Sequence, residues 1–407
     1  MIQIKNIQTI QGVPTSLSLA SEQQITLDAT HLLLLPGLID PHVHFRTPGW
    51  EYKEDWRTAA QASVKGGYTT VFDMPNTQPP TVTQQALIEK KRRIDSQLRE
   101  INIPLRYQLF FGADKQQLNE IKKVRGQVVG IKVFMGSSTG GLLIDDDVTL
   151  NTIFKLAFEE DMLVAVHAED EQRLREKAKQ LAFPASYELH SCWRDETVAT
   201  LAVEKALNLV REHGTRLYIL HTSTRDEMDL IATAKAEGLP VFAETSPHHL
   251  FLTTADYPRL QGKAVMNPPL RAKSHQKALF DAINEGIIDT IGSDHAPHTL
   301  VEKAQSYGAC PCGVPGIETT LPLLLEAYHQ ALLSLETIVK LTSARAQAIF
   351  GLEQHNDYVL VDLNKRAKVD EAQLKTKCRW SPFAGWELRG WPAYTLLANR
   401  LYDLSLI

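Results

Sequence analysis

The chain has 407 residues, of which 43% are hydrophobic, and a formal net charge of -5 at pH 7. A chain of this length and apolar content can bury a large core, which excludes a disordered protein. The mild negative charge excludes a general electrostatic attraction to nucleic acid or anionic lipid, and no apolar run reaches the roughly 18 residues that a bilayer span needs. We therefore expect a small-molecule ligand, with no nucleic-acid partner and no membrane partner.

The N-terminus and the cysteines indicate a compartment. Residues 1–5 lack the basic and apolar regions of a secretory signal. The four cysteines, Cys192, Cys310, Cys312 and Cys378, are few and irregularly spaced, which argues against a disulfide framework. The Cys-Pro-Cys motif at 310–312 has no second Cys or His pair at a zinc-site spacing, so we interpret it as structural. We expect a cytoplasmic protein with free thiols.

The predicted elements fall into three segments along the chain. Residues 1–35 contain short predicted strands, residues 36–352 alternate strands with helices, and residues 353–407 contain strands such as Tyr358 to Asp362. The economical arrangement is one small β-sandwich domain formed jointly by the N- and C-terminal segments, 1–35 and 353–407. The segment 36–352 is then a second domain inserted between them.

Within residues 36–352, short apolar runs alternate with longer amphipathic stretches, such as Thr83 to Glu100, Asp195 to Glu212 and Thr224 to Glu237. This alternation is typical of repeated βα units around a parallel sheet. The apolar runs end near Ile39, Phe72, Phe110, Val133, Val166, Leu220, Ala243 and Ile291. Eight such strands predict an α/β fold with a closed (β/α)8 TIM barrel.

Polar residues follow almost every one of these runs, and the active sites of such barrels lie at the carboxyl ends of the strands. The first cluster contains His42 and His44. In an extended segment these two residues point to the same face, so both imidazoles can bind one metal ion. His167, His221 and Asp294 follow later strands and complete a set of nitrogen and oxygen ligands that suits zinc.

Lys132 lies at the end of the fourth predicted strand, among these metal-ligand candidates. An ammonium beside two divalent cations is disfavoured by repulsion and by desolvation. Its amine could instead react with carbon dioxide to give an anionic carbamate, which can bridge two metals. The alternative that Lys132 is a surface or substrate-binding lysine stays open on these grounds.

Four further polar residues indicate an anionic substrate. Arg46 and Asn76 lie beside the metal-ligand candidates, and arginine binds carboxylates through two parallel hydrogen bonds. Asn267 and His298 could complete the same pocket. Asn267 precedes Pro268, so a role as a turn residue is equally consistent with the sequence.

At this point the chain resembles the amidohydrolase superfamily and, within it, the dihydroorotases. The resemblance extends over almost the whole chain. Its motifs are Pro36-Gly37-Leu38-Ile39-Asp40-Pro41-His42-Val43-His44-Phe45-Arg46, Asp73-Met74-Pro75-Asn76-Thr77, Asn267-Pro268-Pro269-Leu270-Arg271, Asp294-His295-Ala296-Pro297-His298 and Ser381-Pro382-Phe383-Ala384-Gly385-Trp386-Glu387-Leu388.

The resemblance implies zinc-dependent, reversible cyclisation of N-carbamoyl-L-aspartate to L-dihydroorotate and water, a step of pyrimidine synthesis. It implies two Zn²⁺ per chain bridged by an N6-carboxylated Lys132. The implied metal ligands are His42, His44 and Asp294 for one ion and His167 and His221 for the other, with Asp294 also catalytic. The implied substrate-binding residues are Arg46, Asn76, Asn267 and His298.

Several alternatives stay open. Many bacterial dihydroorotases have an aspartate in place of the bridging lysine, and the acidic run at 145–147 could supply one, although the setting of Lys132 favours the lysine. Hydantoinase and allantoinase share the metal ligands, and a non-catalytic assembly subunit is a further possibility. We expect a homo-oligomer, with a dimer as the first expectation, and we regard residues 300–315 as a candidate lid.

Overall fold

A computed structural model describes residues 1–181 and 186–407 of the chain. Its strands form one parallel sheet and one mixed sheet. The strands are β1 (Ile2–Gln8), β2 (Pro14–Leu19), β3 (Ile25–Asp28), β4 (Leu33–Pro36), β5 (Leu38–Val43), β6 (Tyr68–Asp73), β7 (Arg106–Gly112), β8 (Gly130–Phe134), β9 (Val164–His167), β10 (Leu217–Ile219), β11 (Val241–Thr245), β12 (Thr290–Ile291), β13 (Tyr358–Lys368), β14 (Glu387–Leu397) and β15 (Arg400–Asp403).

The parallel sheet is a barrel of eight strands, β5 to β12 in sequence order. Each strand pairs with the next in parallel register, for example Lys132 of β8 with Ala165 of β9. A parallel bridge between Val43 and His295 joins the end of β5 to the segment after β12 and closes the ring. The predicted (β/α)8 barrel is confirmed.

Helices surround the barrel, and their first residues explain why the amphipathic stretches begin where they do. Thr83, Asp195 and Thr224 are N-caps whose side chains accept backbone N–H groups of the first turn. The helices are α1 (Trp56–Lys65), α2 (Gln84–Ile101), α3 (Glu120–Lys123), α4 (Asp147–Glu159), α5 (Glu171–Gln180), α6 (Leu189–Trp193), α7 (Glu196–His213), α8 (Arg225–Ala236), α9 (Pro247–Phe251), α10 (Tyr257–Leu260), α11 (Lys273–Asn284), α12 (Leu300–Lys303), α13 (Thr320–His329), α14 (Leu335–Val339) and α15 (Arg345–Phe350).

The terminal segments form the second, mixed sheet of seven strands. Its two halves are joined by antiparallel pairing of β4 with β13, from Leu33 opposite Val361 to Pro36 opposite Tyr358. The predicted β structure from both termini is therefore confirmed, whereas the domain boundaries at 35/36 and 352/353 stay predictions. In the described part of the chain, no helix is both long and apolar enough to cross a membrane.

Candidate active site

A small cavity of about 30 Å³ lies at the carboxyl ends of the barrel strands. All predicted site residues line it except His298. The lining consists of His42, His44, Arg46, Asn76, Lys132, Phe134, Ser138, Thr139, His167, His221, Asn267, Asp294, Ala296, Cys312 and Gly313.

His42, His44 and Asp294 converge at the first group of candidate ligand atoms. Asp294 Oδ1 lies 3.3 Å from His42 Nε2 and 3.2 Å from His44 Nε2. One ligand atom from each of the three residues lies within 4.8 Å of the other two. Burial lowers the pKa of each imidazole to about 4, so both Nε2 atoms face Asp294 from neutral rings.

The outer nitrogens of these two rings are held by other side chains. His42 Nδ1 lies 2.8 Å from Glu244 Oε1, and His44 Nδ1 lies 2.8 Å from Asn76 Oδ1. Because both partners are acceptors, each Nδ1 carries the proton and each Nε2 has its lone pair free. Such an outer hydrogen bond is the usual support of a metal-ligating histidine.

His167 and His221 form the second group. His167 Nδ1 lies 3.0 Å from His221 Nε2, and His167 Nε2 donates to Glu169 Oε2 at 2.8 Å. Glu169 is in turn paired with the buried guanidinium of Arg194. The Nδ1 atom of His221 is buried without a partner in the described part of the chain.

These distances fit metal binding. Two ligand atoms of a tetrahedral zinc site, each roughly 2.0–2.2 Å from the ion, lie about 3.3 Å apart. The separations of 3.3 and 3.2 Å at Asp294 and of 3.0 Å between His167 and His221 are close to that value. The residues present can therefore hold metal ions at both groups.

Lys132 ends β8, and its side chain is buried beside both groups, with Nζ 4.5 Å from the centre of the Phe134 ring. Burial lowers the pKa of this amine to about 7, an effect that Asp294 and Glu244 partly oppose. A substantial fraction is therefore neutral at neutral pH, which is the form that reacts with carbon dioxide. None of the three aspartates at 145–147 lines the cavity. Asp145 pairs with Lys115 and Arg175, Asp146 caps α4, and Asp147 pairs with Lys205.

Arg46 is a buried cation, only 2% exposed, that lines the cavity. Its Nε donates to the carbonyl of Pro297 at 3.1 Å, and its Nη2 lies 3.1 Å from His298 Nε2. It forms no ion pair with any residue in 1–181 or 186–407. Burial lowers the pKa of this guanidinium to about 10, which leaves it charged at neutral pH. Asp294, Asp73 and Glu302 stabilise this charge from a distance, but none of them forms a direct ion pair with it. A buried charge that lacks a direct ionic partner is costly unless an anion binds to it.

The two asparagines, Asn76 and Asn267, both line the cavity. Asn76 Nδ2 donates to the carbonyl of Thr139 at 2.9 Å. Asn267 Oδ1 accepts from His190 Nε2 at 3.0 Å, and the residue lies in a bend before a cis Asn267–Pro268 bond, so the turn interpretation and a role in the cavity are compatible. Arg46, His221 and Asp294 share a left-handed backbone, with φ values of 61°, 38° and 45°. Such strain is concentrated at functional sites.

Several supporting residues were missed by the sequence analysis. Glu244 follows the predicted end of its strand at Ala243 and is the one that a search for strand-end carboxylates could have found. Glu54 is fully buried, and its Oε2 lies 3.4 Å from Nε2 of His295. The His295 carbonyl accepts the backbone N–H of His44 at 2.8 Å, so this pair supports a candidate ligand.

The cysteines and the candidate lid are also placed. All four cysteines are free, as predicted. Cys310 is buried in a small apolar cluster, which fits the interpretation of the Cys-Pro-Cys motif as structural. Cys312 lines the cavity, and the sequence did not predict this position. Lys303 Nζ donates to the carbonyls of Pro311 and Gly313 at 2.8 and 3.0 Å, so part of the segment is anchored. Lid motion in 300–315 stays a prediction.

The buried imidazoles predict that acid destabilises the metal-free protein. Burial lowers the pKa of His42, His44, His190 and His248 to about 4, whereas the unfolded chain binds these protons near pH 6.5. Their contribution to stability is therefore full above pH 6.5 and decreases as the pH falls towards 4. Burial raises the pKa of Glu244 to about 8 and of Asp40 and Glu318 to about 7, which opposes this loss because these carboxyls bind protons earlier in the folded chain. Since the buried histidines with a lowered pKa are more numerous, we expect the Tm of the metal-free protein, measured by calorimetry, to fall by about a few degrees from pH 7 to pH 5. A Tm that stays constant over this interval would contradict the lowered pKa values of the buried histidines. As a control, replacing the exposed His31 with glutamine should leave the dependence of Tm on pH unchanged.

Comparison with known proteins gives a consistent result. Residues 33–359 match the amidohydrolase family. The chain is 37% identical over 372 residues to the dihydroorotase of Halobacterium salinarum, covering 89% of this chain and 85% of the relative. It is 36% identical over 400 residues to the dihydroorotase of Methanosarcina acetivorans, covering 92% and 83%. Among solved structures it resembles the L-hydantoinase of Arthrobacter aurescens, with a TM-score of 0.92, 28% identity and coverage of 99% and 96%.

Proposed function

The chain belongs to the amidohydrolase family, and we propose that it is a dihydroorotase, which closes N-carbamoyl-L-aspartate to L-dihydroorotate and water and catalyses the reverse reaction. The dihydroorotases among its relatives span most of its length. The separate observation that carries the assignment is Arg46, a buried guanidinium that lines the cavity beside the metal-ligand candidates and forms no direct ion pair in the described part of the chain. Such a cation favours a ring that bears a carboxylate.

We propose that two Zn²⁺ ions bind per chain. His42, His44 and Asp294 would hold one ion, and His167 and His221 the other, with an N6-carboxylated Lys132 between them. The lowered pKa of the Lys132 amine, about 7, supports this modification. When bound, zinc lowers the pKa of water and polarises a carbonyl, which supplies a nucleophile and an electrophile near neutral pH.

The protein's own residues then have distinct roles in ring opening. Arg46 neutralises the ring carboxylate, and Asn76 and Asn267 orient the ring by hydrogen bonds. Water oxygen adds to the ring amide carbon and the carbon–nitrogen bond breaks. Asp294 takes the proton from water and delivers it to the leaving ring nitrogen. Ring closure reverses these steps.

The decisive test is the variant Arg46→Ala. We expect its kcat/KM for L-dihydroorotate to fall by at least about a hundredfold, because a charge-assisted contact is lost and the carboxylate is left unpaired in a buried pocket. Turnover of dihydrouracil, the same ring without the carboxylate, should change little. Steady-state assays on both rings measure the difference, and equal losses on both would contradict the assignment.

A second candidate is a hydantoinase, which the similarity to the Arthrobacter aurescens L-hydantoinase favours. The Arg46 variant also separates these two functions, since a hydantoinase needs no carboxylate-binding cation. A non-catalytic assembly subunit is less consistent with the site, because all six proposed metal-binding positions are filled. We further propose a cytoplasmic homodimer, which size-exclusion chromatography with light scattering would test for its oligomeric state.

A further inference from the structure

Lys53 is a buried lysine behind the carboxylate-binding side of the cavity, and no step proposed above uses it. It is 7% exposed, and its Nζ lies 2.9 Å from His298 Nδ1 and 2.8 Å from Glu302 Oε1. His298 is fully buried and lies between Lys53 and Arg46. These contacts place Lys53 one residue removed from the cation that we assign to the substrate carboxylate.

The contacts of His298 fix its tautomer. The Lys53 ammonium is only a donor, so Nδ1 of His298 must accept from it. Burial, together with the surrounding cations, holds the pKa of His298 well below its usual range, so the ring is neutral and its single proton is on Nε2. That proton is donated to the carbonyl of Cys312, 2.9 Å away.

This tautomer determines what Arg46 can do. Nη2 of Arg46 lies 3.1 Å from Nε2 of His298. With a proton on Nε2, both atoms are donors, so the His298 ring cannot accept a hydrogen bond from the Arg46 guanidinium. In the other tautomer Nε2 would accept from Arg46, and Nδ1–H could turn to Glu302, whose Oε2 lies 3.9 Å away. The Arg46 N–H group would then be occupied within the protein.

We propose that Lys53 is a specificity-determining positioning residue: by donating to Nδ1 of His298 it keeps the proton on Nε2 and so leaves Arg46 free for the substrate carboxylate. The effect on substrate binding rests on the proposed dihydroorotase function, whereas the assignment of the His298 tautomer does not. Lys53 also adds a second buried positive charge on this side of the cavity, in contact with Glu302 alone among the carboxylates of the described residues.

The first test replaces Lys53 with methionine, which keeps the stem and removes the donor. We expect KM for L-dihydroorotate, and Kd for the unreactive carboxylated ring orotate measured by calorimetry, to rise by about tenfold, with kcat changed by less than about threefold. Lys53→Arg should recover most of the loss because arginine is also only a donor. Lys115→Met, at an exposed lysine paired with Asp145, is the matched control and should leave all three constants unchanged.

Two further measurements distinguish the proposed positioning role of Lys53 from a purely structural role. In a His298→Ala background, Lys53→Met should have no additional effect on KM, whereas a direct charge effect on Arg46 would persist and overturn the inference. Nitrogen-15 NMR of the histidine side chains, with His298 assigned from its variant, should show Nε2–H in the natural protein and Nδ1–H in Lys53→Met. Nδ1–H in the natural protein would also overturn it. If the tautomer switches as expected but the natural protein neither turns over L-dihydroorotate nor binds orotate, the proposed function fails and the tautomer assignment stands.

Discussion

Asp294→Asn is expected to lower kcat for ring opening by about a thousandfold or more, within the range for loss of a general acid–base group together with a ligand charge. The asparagine side chain has the same shape, but it can neither take the proton from water nor deliver it to the ring nitrogen. The carboxylate is buried and lies 3.3 and 3.2 Å from the Nε2 atoms of His42 and His44. Steady-state kinetics at saturating L-dihydroorotate measure the effect.

The control for this variant is Asp161→Asn, at an aspartate whose side chain is 80% exposed. It should retain full activity. Both variants should keep the Tm of the metal-free protein within a few degrees, which separates chemistry from folding. If Asp294→Asn retained more than about a tenth of kcat, the proton-transfer role would have to be reassigned, since such groups contribute at least about a hundredfold.

Lys132→Ala is expected to remove both metal and activity. Without the proposed anionic bridge, the two ligand groups would lose a shared oxygen ligand, and we expect bound zinc to fall from about two ions per chain to about one or fewer. Activity should fall by more than about a hundredfold, which exceeds the usual effect of an outer hydrogen-bond partner. Elemental analysis and ring-opening assays measure the two losses in the same preparation.

The modification itself can be observed separately. After growth or incubation with carbon-13 bicarbonate, the natural protein should show a carbamate signal that Lys132→Met lacks. Lys115→Ala, at an exposed lysine, should retain the signal and the zinc. Two tightly bound zinc ions in Lys132→Ala would show that another group bridges them, and Asp145 would then be the first carboxylate to replace, despite its contacts with Lys115 and Arg175.

The fold could be predicted because its signals are local. Apolar runs mark the barrel strands, and the N-caps Thr83, Asp195 and Thr224 mark three of the helices. The exact strand ends could not be predicted. The first barrel strand was predicted to end near Ile39, whereas β5 continues to Val43. There the pairing is determined by the bridge to His295 that closes the barrel, and not by side-chain polarity. Tertiary pairing therefore determines details that periodicity does not contain.

The candidate site also contains residues that the sequence can predict and residues that it cannot. Residues that follow strands, such as His167 and Asp294, could be found because the carboxyl ends of parallel strands meet at one place. Lys53 and Glu54 could not, since they precede α1 and contact His298 and His295, more than two hundred residues away. No spacing in the sequence connects such positions, and only the closed barrel brings them together.

The pairing of β4 with β13 has a consequence for synthesis on the ribosome. When β1 to β4 emerge, the partner of β4 has not been translated, and the entire barrel must be made before Tyr358 arrives to cover that edge. The nascent chain therefore carries an open strand edge through most of its elongation, and open edges promote aggregation. Messages truncated shortly before the codon for Tyr358 should give a product that depends on chaperones, even though every proposed metal-binding residue has already been made.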